Sequence, residues 1–179
     1  MNEIIIREAT IADIVDIQHL AHLLARLEFE SGWAAEVDPQ WASTEAGISF
    51  LKRELTREDG ILLVATCDEQ AIGFLGGWIR PEEQGPVGEV QGQDTNHKDK
   101  TRPWQVRQGP VGGLQGVFVL PAFRRRGVGA RLIDRFLEWC ELRNLDKASV
   151  AVAPANEAAI ALYESMGFEA TTLILERQR

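Results

Sequence analysis

Val117-Phe118-Val119-Leu120-Pro121-Ala122-Phe123-Arg124-Arg125-Arg126-Gly127-Val128-Gly129-Ala130 is the stretch on which the fold turns. A β-type apolar run ends at a proline, crosses a basic turn and opens a helix through two glycines. The helix is set by Val128, Leu132, Ile133, Phe136, Leu137 and Cys140, which recur at helical spacing. The first amides of a helix have no internal partner, and the helix dipole adds positive potential there. Glycine removes the Cβ that would hold a ligand off the backbone, so a pyrophosphate fits that place. Two other phosphate turns compete with this reading. A dinucleotide-binding turn follows G-x-G-x-x-G and needs a third glycine where this chain has Leu132. A Walker A loop needs Gly-Lys-Ser/Thr, which is missing.

A second stretch follows in order. Ala148-Ser149-Val150-Ala151-Val152 reads as a short strand, and Pro154 to Phe168 as a helix with its punctuation. Asn156 is a good N-cap, alanine and leucine favour helix, and Gly167 suits the left-handed position after it. Tyr163 falls about two turns after Asn156, on nearly the same face.

Together the two stretches resemble the signatures of the GNAT-type N-acetyltransferase superfamily. The first stands as Arg124-x-x-Gly127-x-Gly129 behind Val119 and Pro121, the second as N-x-x-A-x-x-L-Y-x-x-x-G-F from Asn156 to Phe168. The resemblance implies an α/β fold with a mixed, mostly antiparallel sheet, splayed between its fourth and fifth strands and flanked by about four helices. It implies acetyl-CoA as co-substrate and an amine as acceptor. Backbone groups of Val117, Phe118 and Val119 would pair with pantetheine like an added strand. Amides of Arg124, Arg125, Arg126, Gly127, Val128, Gly129 and Ala130 would hold the pyrophosphate, Asn156 would touch the pantetheine region, and Tyr163 would protonate the departing thiolate.

The remaining segments fit one domain over residues 1–179, a length suited to a single α/β core. Ile4-Ile5-Ile6 reads as an opening strand. Thr10-x-x-Asp13 is a variant capping box before a helix carrying Ile14, Val15, Ile17, Leu20, Leu24 and Leu27. A second helix is expected from Trp41 to Leu55, with Ile48, Leu51 and Leu55 as its stripe. Ile61–Ala65 and Ile72–Trp78 read as a strand pair turned at Asp68-Glu69-Gln70, and a closing strand is expected within Phe168 to Leu175.

Composition narrows the partners. A net charge of −8 argues against nucleic acid, because phosphate binding needs a basic face, and weakly favours a cationic amine. No run reaches the ~18 apolar residues of a membrane span, and the amino terminus lacks a signal-peptide pattern. A cytoplasmic protein is expected, and a homodimer is compatible with everything in the chain. Cys67 and Cys140 read as buried thiols. With His19, His22 and His97 scattered, no metal site is expected.

The segment from about 80 to 111 departs from a minimal domain of this type. About thirty mainly polar residues separate the third and fourth strands, and connections that long are functional or disordered. Inside, Gln84–Gly92 recurs as Gln108–Gly116 at seven of nine positions. The second copy leads into the cofactor strand. The first is an extra strand, a flap over the acceptor site, or a remnant. Many members of the superfamily carry a glutamate base six residues before the valine matching Val119. That position is Gly113, whereas the upstream copy has Glu89. Glu89 is therefore the candidate base, with Glu28 and Glu30 as alternatives, and Trp33, Trp41, Trp78 and Trp104 are candidates to line the acceptor pocket. Small polyamine, aminoglycoside-like compound, amino acid and protein amine are all admissible acceptors. A catalytically silent acyl-CoA-binding module is the alternative reading, and a dinucleotide-binding protein a distant third.

Overall fold

The computed structural model describes residues 3–30, 38–80 and 109–172. Five strands form one sheet in chain order: β1 (Ile4–Glu8), β2 (Gly60–Cys67), β3 (Gln70–Arg80), β4 (Val111–Val119) and β5 (Ala148–Val150). The first four pair antiparallel, and β5 runs parallel to β4. Four α-helices flank the sheet: α1 (Ile14–Glu30), α2 (Glu45–Thr56), α3 (Val128–Leu142) and α4 (Glu157–Ser165).

Alternation along the strands sorts the side chains to two faces. Leu63, Ala65, Leu75, Leu114 and Val119 pack with Leu132, Ile133 and Phe136 of α3 and Tyr163 of α4. Leu62, Val64, Phe74 and Phe118 pack on the other face with Ile14, Ile17 and Leu20 of α1 and Leu51 of α2. Cys67 and Cys140 are buried and unbridged. The β2–β3 hairpin turns on Asp68 and Glu69, both with positive φ (49° and 64°), and Gln70 already pairs with Cys67. Positive φ at both central residues matches the right-handed twist of the flanking strands.

Three expectations shift. Val15 is 72% exposed and Leu27 44%, because the buried stripe of α1 runs Ile14, Ile17, Ala21, Ala25 and leaves both off its face. The second helical segment splits: a 3-10 turn at Trp41–Ser43 precedes α2, and Thr44 caps α2 by accepting from the Gly47 N–H at 3.1 Å. Phe168 to Thr172 form no strand, and the rest of the expected closing strand lies outside the described residues, as does all but the ends of the 80–111 segment.

The Thr10-x-x-Asp13 expectation holds. The Asp13 carboxylate accepts from the Thr10 N–H (2.7 Å) and hydroxyl (2.8 Å), and Arg7 of β1 donates to both its oxygens at 2.8 and 2.7 Å. The bonded guanidinium holds this buried carboxyl far below the usual carboxylate range. A depressed folded pKa means the stabilisation is present above the ordinary carboxylate pKa and is lost as acid protonates the group. Asp13→Asn should therefore cost about 2 kcal/mol at pH 7, a cap plus an ion pair discounted for the half-exposed arginine. Urea unfolding at pH 7 and pH 3 checks it: the gap to wild type should narrow at the lower pH.

Candidate active site

The site begins where the sheet opens. β5 pairs with β4 only from Gly112↔Ala148 to Leu114↔Val150, then leaves it. At the same level a bulge interrupts β3–β4: Gly76 faces Gly116 and Gly77 faces Leu114, so Gln115 has no partner. Past the bulge, one edge of β4 has no strand partner among the described residues. Residues two apart share an edge in an antiparallel ladder. Leu120 donates its N–H to Ile72 of β3 at 2.8 Å, so Phe118 also faces β3, and Val117 and Val119 face the gap. The Val119 carbonyl already accepts from Arg124 Nε at 2.9 Å. Of the three expected pantetheine partners, Val117 and the Val119 amide turn their backbone groups to the gap. Phe118 turns its backbone to β3 and its ring into the α1–α2 face.

The glycine turn expected to hold the pyrophosphate sits at the end of that edge. After a 3-10 turn at Pro121–Phe123, Arg125 takes φ 60° and Gly127 takes φ 77° as N-cap of α3. No described side chain caps the helix, so the amides of its first turn lack an internal acceptor. The two glycines serve different ends. A Cβ at Gly127 would enter open space, whereas one at Gly129 would stand 3.2 Å from Leu162 of α4. Gly127 leaves room and allows the left-handed backbone; Gly129 lets α4 pack. Arg124, Arg125 and Arg126 are exposed, with Arg124 lying over Phe118 (5.6 Å) and Arg126 over Phe123 (5.3 Å).

On the far side of the gap stands α4. Asn156 caps it, its Oδ1 accepting from the Ala159 N–H at 3.1 Å, which leaves the side-chain NH2 for other partners. Gly167 (φ 84°) ends the helix, and Phe168 donates back to the Tyr163 carbonyl at 3.0 Å. Tyr163 is 7% exposed and packs 5.7 Å from Phe168. Burial first, and the charge of Glu28 second, push its hydroxyl up to about 12.

That second cause locates Glu28. It lines a cleft on the opposite sheet face, between α1, α2 and the β4 bulge, with Leu24, Trp41, Phe50, Gly116 and Gln115 among its walls. Burial raises the Glu28 carboxyl above the usual range. The split between β4 and β5 thus has a raised carboxyl on one side and a raised phenol on the other, within electrostatic reach of each other. Glu28 continues the buried stripe of α1, three residues past Ala25, so a carboxylate in phase with apolar positions was the signal available in the sequence. Glu30 is exposed and pairs with Arg26 at 3.2 Å on the surface. Glu54 shares the cleft but is held by Arg57 at 3.0 Å. Glu89, Trp33, Trp104 and His97 lie outside the described residues. Trp41 lines the cleft, while Trp78 sits beneath the Arg57 guanidinium at 5.2 Å.

Gly113, at the usual base position, is covered. A Cβ there would meet Arg80 Nε at 2.8 Å, and Arg80 reaches across to the Ser149 hydroxyl on β5.

Residues 20–168 match the model of the acetyltransferase (GNAT) family. The chain belongs to that family. It is an acetyl-CoA-dependent N-acetyltransferase. Membership sets aside the dinucleotide-binding alternative. The chain is similar to aminoglycoside N(6')-acetyltransferase type 1 of Acinetobacter haemolyticus, 28% identical over 144 residues that cover 80% of this chain and 86% of the relative. A shorter match, 40% identical over 60 residues, covers 34% of this chain and 40% of the [ribosomal protein bS18]-alanine N-acetyltransferase of Salmonella typhimurium. In fold it is similar to aminoglycoside N-acetyltransferase AAC(6')-Iy, solved in complex with CoA, at TM-score 0.70 and 23% identity over 100% of this chain and 96% of the other. Among the described residues no cluster suits a metal ion, and no helix is long and apolar enough to cross a membrane.

Proposed function

We propose that the acceptor amine enters the cleft between α1, α2 and the β4 bulge and attacks an acetyl thioester lodged in the β4–β5 split. The observation that carries this reading is the placement of Glu28 and Tyr163 on opposite sides of that split, each perturbed by burial and Tyr163 also by the charge of Glu28. Acetyl-CoA would lie with its pyrophosphate on the α3 amides around Gly127 and its pantetheine along Val117 and Val119. Arg125 and Arg126 would screen phosphate charge, and the Asn156 NH2 would face the pantetheine.

Only a neutral amine attacks. A lysine-like amine near pKa 10.4 costs about 4.6 kcal/mol to deprotonate at pH 7. Glu28 takes that proton; a carboxylate lifted by burial binds it more tightly than an ordinary one. The amine nitrogen then bonds to the thioester carbon, the C–S bond breaks, and its electron pair leaves on sulfur. Tyr163 donates a hydrogen bond to that thiolate. With the phenol near 12 and a free thiol near 8.5, complete transfer of the phenolic proton is uphill by about 5 kcal/mol. The second amine proton, shed as the amide forms, therefore balances the thiol, and Tyr163 stabilises the developing charge on sulfur.

Tyr163→Phe should lower kcat by roughly 10²-fold and leave acetyl-CoA affinity unchanged, since the hydrogen bond forms only as the thiolate departs. Thiol release and calorimetric titration separate the two terms. An unchanged kcat, under conditions where chemistry limits the rate, would reduce Tyr163 to a packing residue.

A further inference from the structure

Arg80 ends β3, and its side chain runs over Gly113 to donate to the Ser149 hydroxyl of β5. Gly113 pairs with Ser149, one register step before the last β4–β5 pair. The guanidinium therefore lies on the acceptor face of the sheet, about 3.3 Å along the strand from where the sheet opens. Residue 113 must be glycine for this: a Cβ would stand 2.8 Å from Nε and 3.0 Å from Cδ and Cγ. A cation therefore lies where the family resemblance leads one to expect a glutamate.

That cation is poorly met. Arg7, Arg26, Arg57 and Arg135 each pair with a carboxylate. Arg80 has no ion pair with any described carboxylate, and its Nε is buried without a hydrogen-bond partner. A buried donor left unmet carries its full desolvation cost, and a guanidinium fork matches a carboxylate in shape and charge. Of the two carboxylates that line the cleft, Glu54 is paired with Arg57. Glu28 lines the cleft, and the Arg80 guanidinium lies on the same sheet face beside the opening of the β4–β5 split.

We propose that Arg80 binds an anionic group of the acceptor, and that the acceptor is an amine bearing a carboxylate within a few bonds, such as an amino acid. The subsite presupposes acetyl transfer at the β4–β5 split. Beside Arg80, the protonated amine is also disfavoured by like charge, which eases the loss of its proton to Glu28.

Matched acceptors test it: β-alanine against ethylamine, lysine against 1,5-diaminopentane, and an aminoglycoside, each scored by thiol release from acetyl-CoA. Wild type should show kcat/KM at least 10-fold higher for the carboxylated member of each pair. Arg80→Gln should erase that preference by raising KM for the carboxylated amine with kcat largely kept. Gly113→Ala, which crowds the guanidinium, should act in the same direction and serves if Arg80→Gln does not fold. Acetyl-CoA affinity, measured by calorimetry, should be unchanged in both. Faster turnover of the decarboxylated amines or the aminoglycoside by wild type overturns the subsite and leaves acetyl transfer standing, as does a preference that survives in Arg80→Gln. Absence of turnover with every amine overturns the acetyl-transfer reading itself.

Discussion

Glu28→Gln should lower kcat by about 10²-fold, the lower end of what a positioned base contributes, with acetyl-CoA affinity intact. The amide keeps the size and polarity of the carboxylate and loses only the ability to take a proton. In wild type, activity should fall as pH drops through the raised Glu28 pKa, and that limb should vanish in the variant. Tyr163, pushed up to about 12, stays protonated between pH 6 and 9 and adds no alkaline limb there. A stability readout accompanies the kinetic one. Burial raises the Glu28 pKa, so the folded state holds its proton more tightly than the unfolded chain does. Stability is then greatest below the ordinary carboxylate pKa and declines as pH rises through the raised one. Glutamine removes that loss, so Glu28→Gln should be more stable than wild type at pH 7 and equal to it near pH 4. An active variant with an unaltered pH profile would sink the base assignment.

Gly127→Glu should weaken CoA binding by at least about 100-fold, since a charged side chain then fills the phosphate space before the α3 amides. The open space beyond the missing Cβ is where the carboxylate would project. The φ of 77° adds roughly 1–2 kcal/mol of backbone strain for any other ordinary residue. Gly127→Asn separates the two effects: asparagine tolerates the left-handed backbone and adds no charge, so it should bind CoA far better than the glutamate variant. Calorimetry with circular dichroism as a folding check decides it, and wild-type affinity in Gly127→Glu would falsify the phosphate assignment. Gly129 gives no equally clean test. Its missing Cβ points at Leu162, so any side chain there first disturbs the packing of α3 on α4.

Much of this was legible in the residues because it depends on local rules. Asn156 caps, Gly167 ends a helix, and Val128, Leu132, Ile133 and Phe136 mark the buried face of α3, each through neighbours three or four positions away. The roles of the two turn glycines were less legible. R-x-x-G-x-G reads as a single device, yet the space each glycine spares belongs to a different neighbour. Phe118 was read as a pantetheine partner with Val117 and Val119; strand register alone turns its amide to β3.

By itself, the sequence carried the order of elements from β1 to α4 and the glycine turn after β4, because those follow patterns that act along the chain, and its two motifs carried the family resemblance. Only the tertiary structure decided what fills the acceptor side. Glu28 and Tyr163 are 135 positions apart in the sequence, and Arg80, Gly113 and Ser149 come from three different strands. Their meeting depends on sheet register, on the point where β5 leaves β4, and on which face each side chain takes. Those are pairings between distant segments, set by how the whole core packs, and no local pattern encodes them.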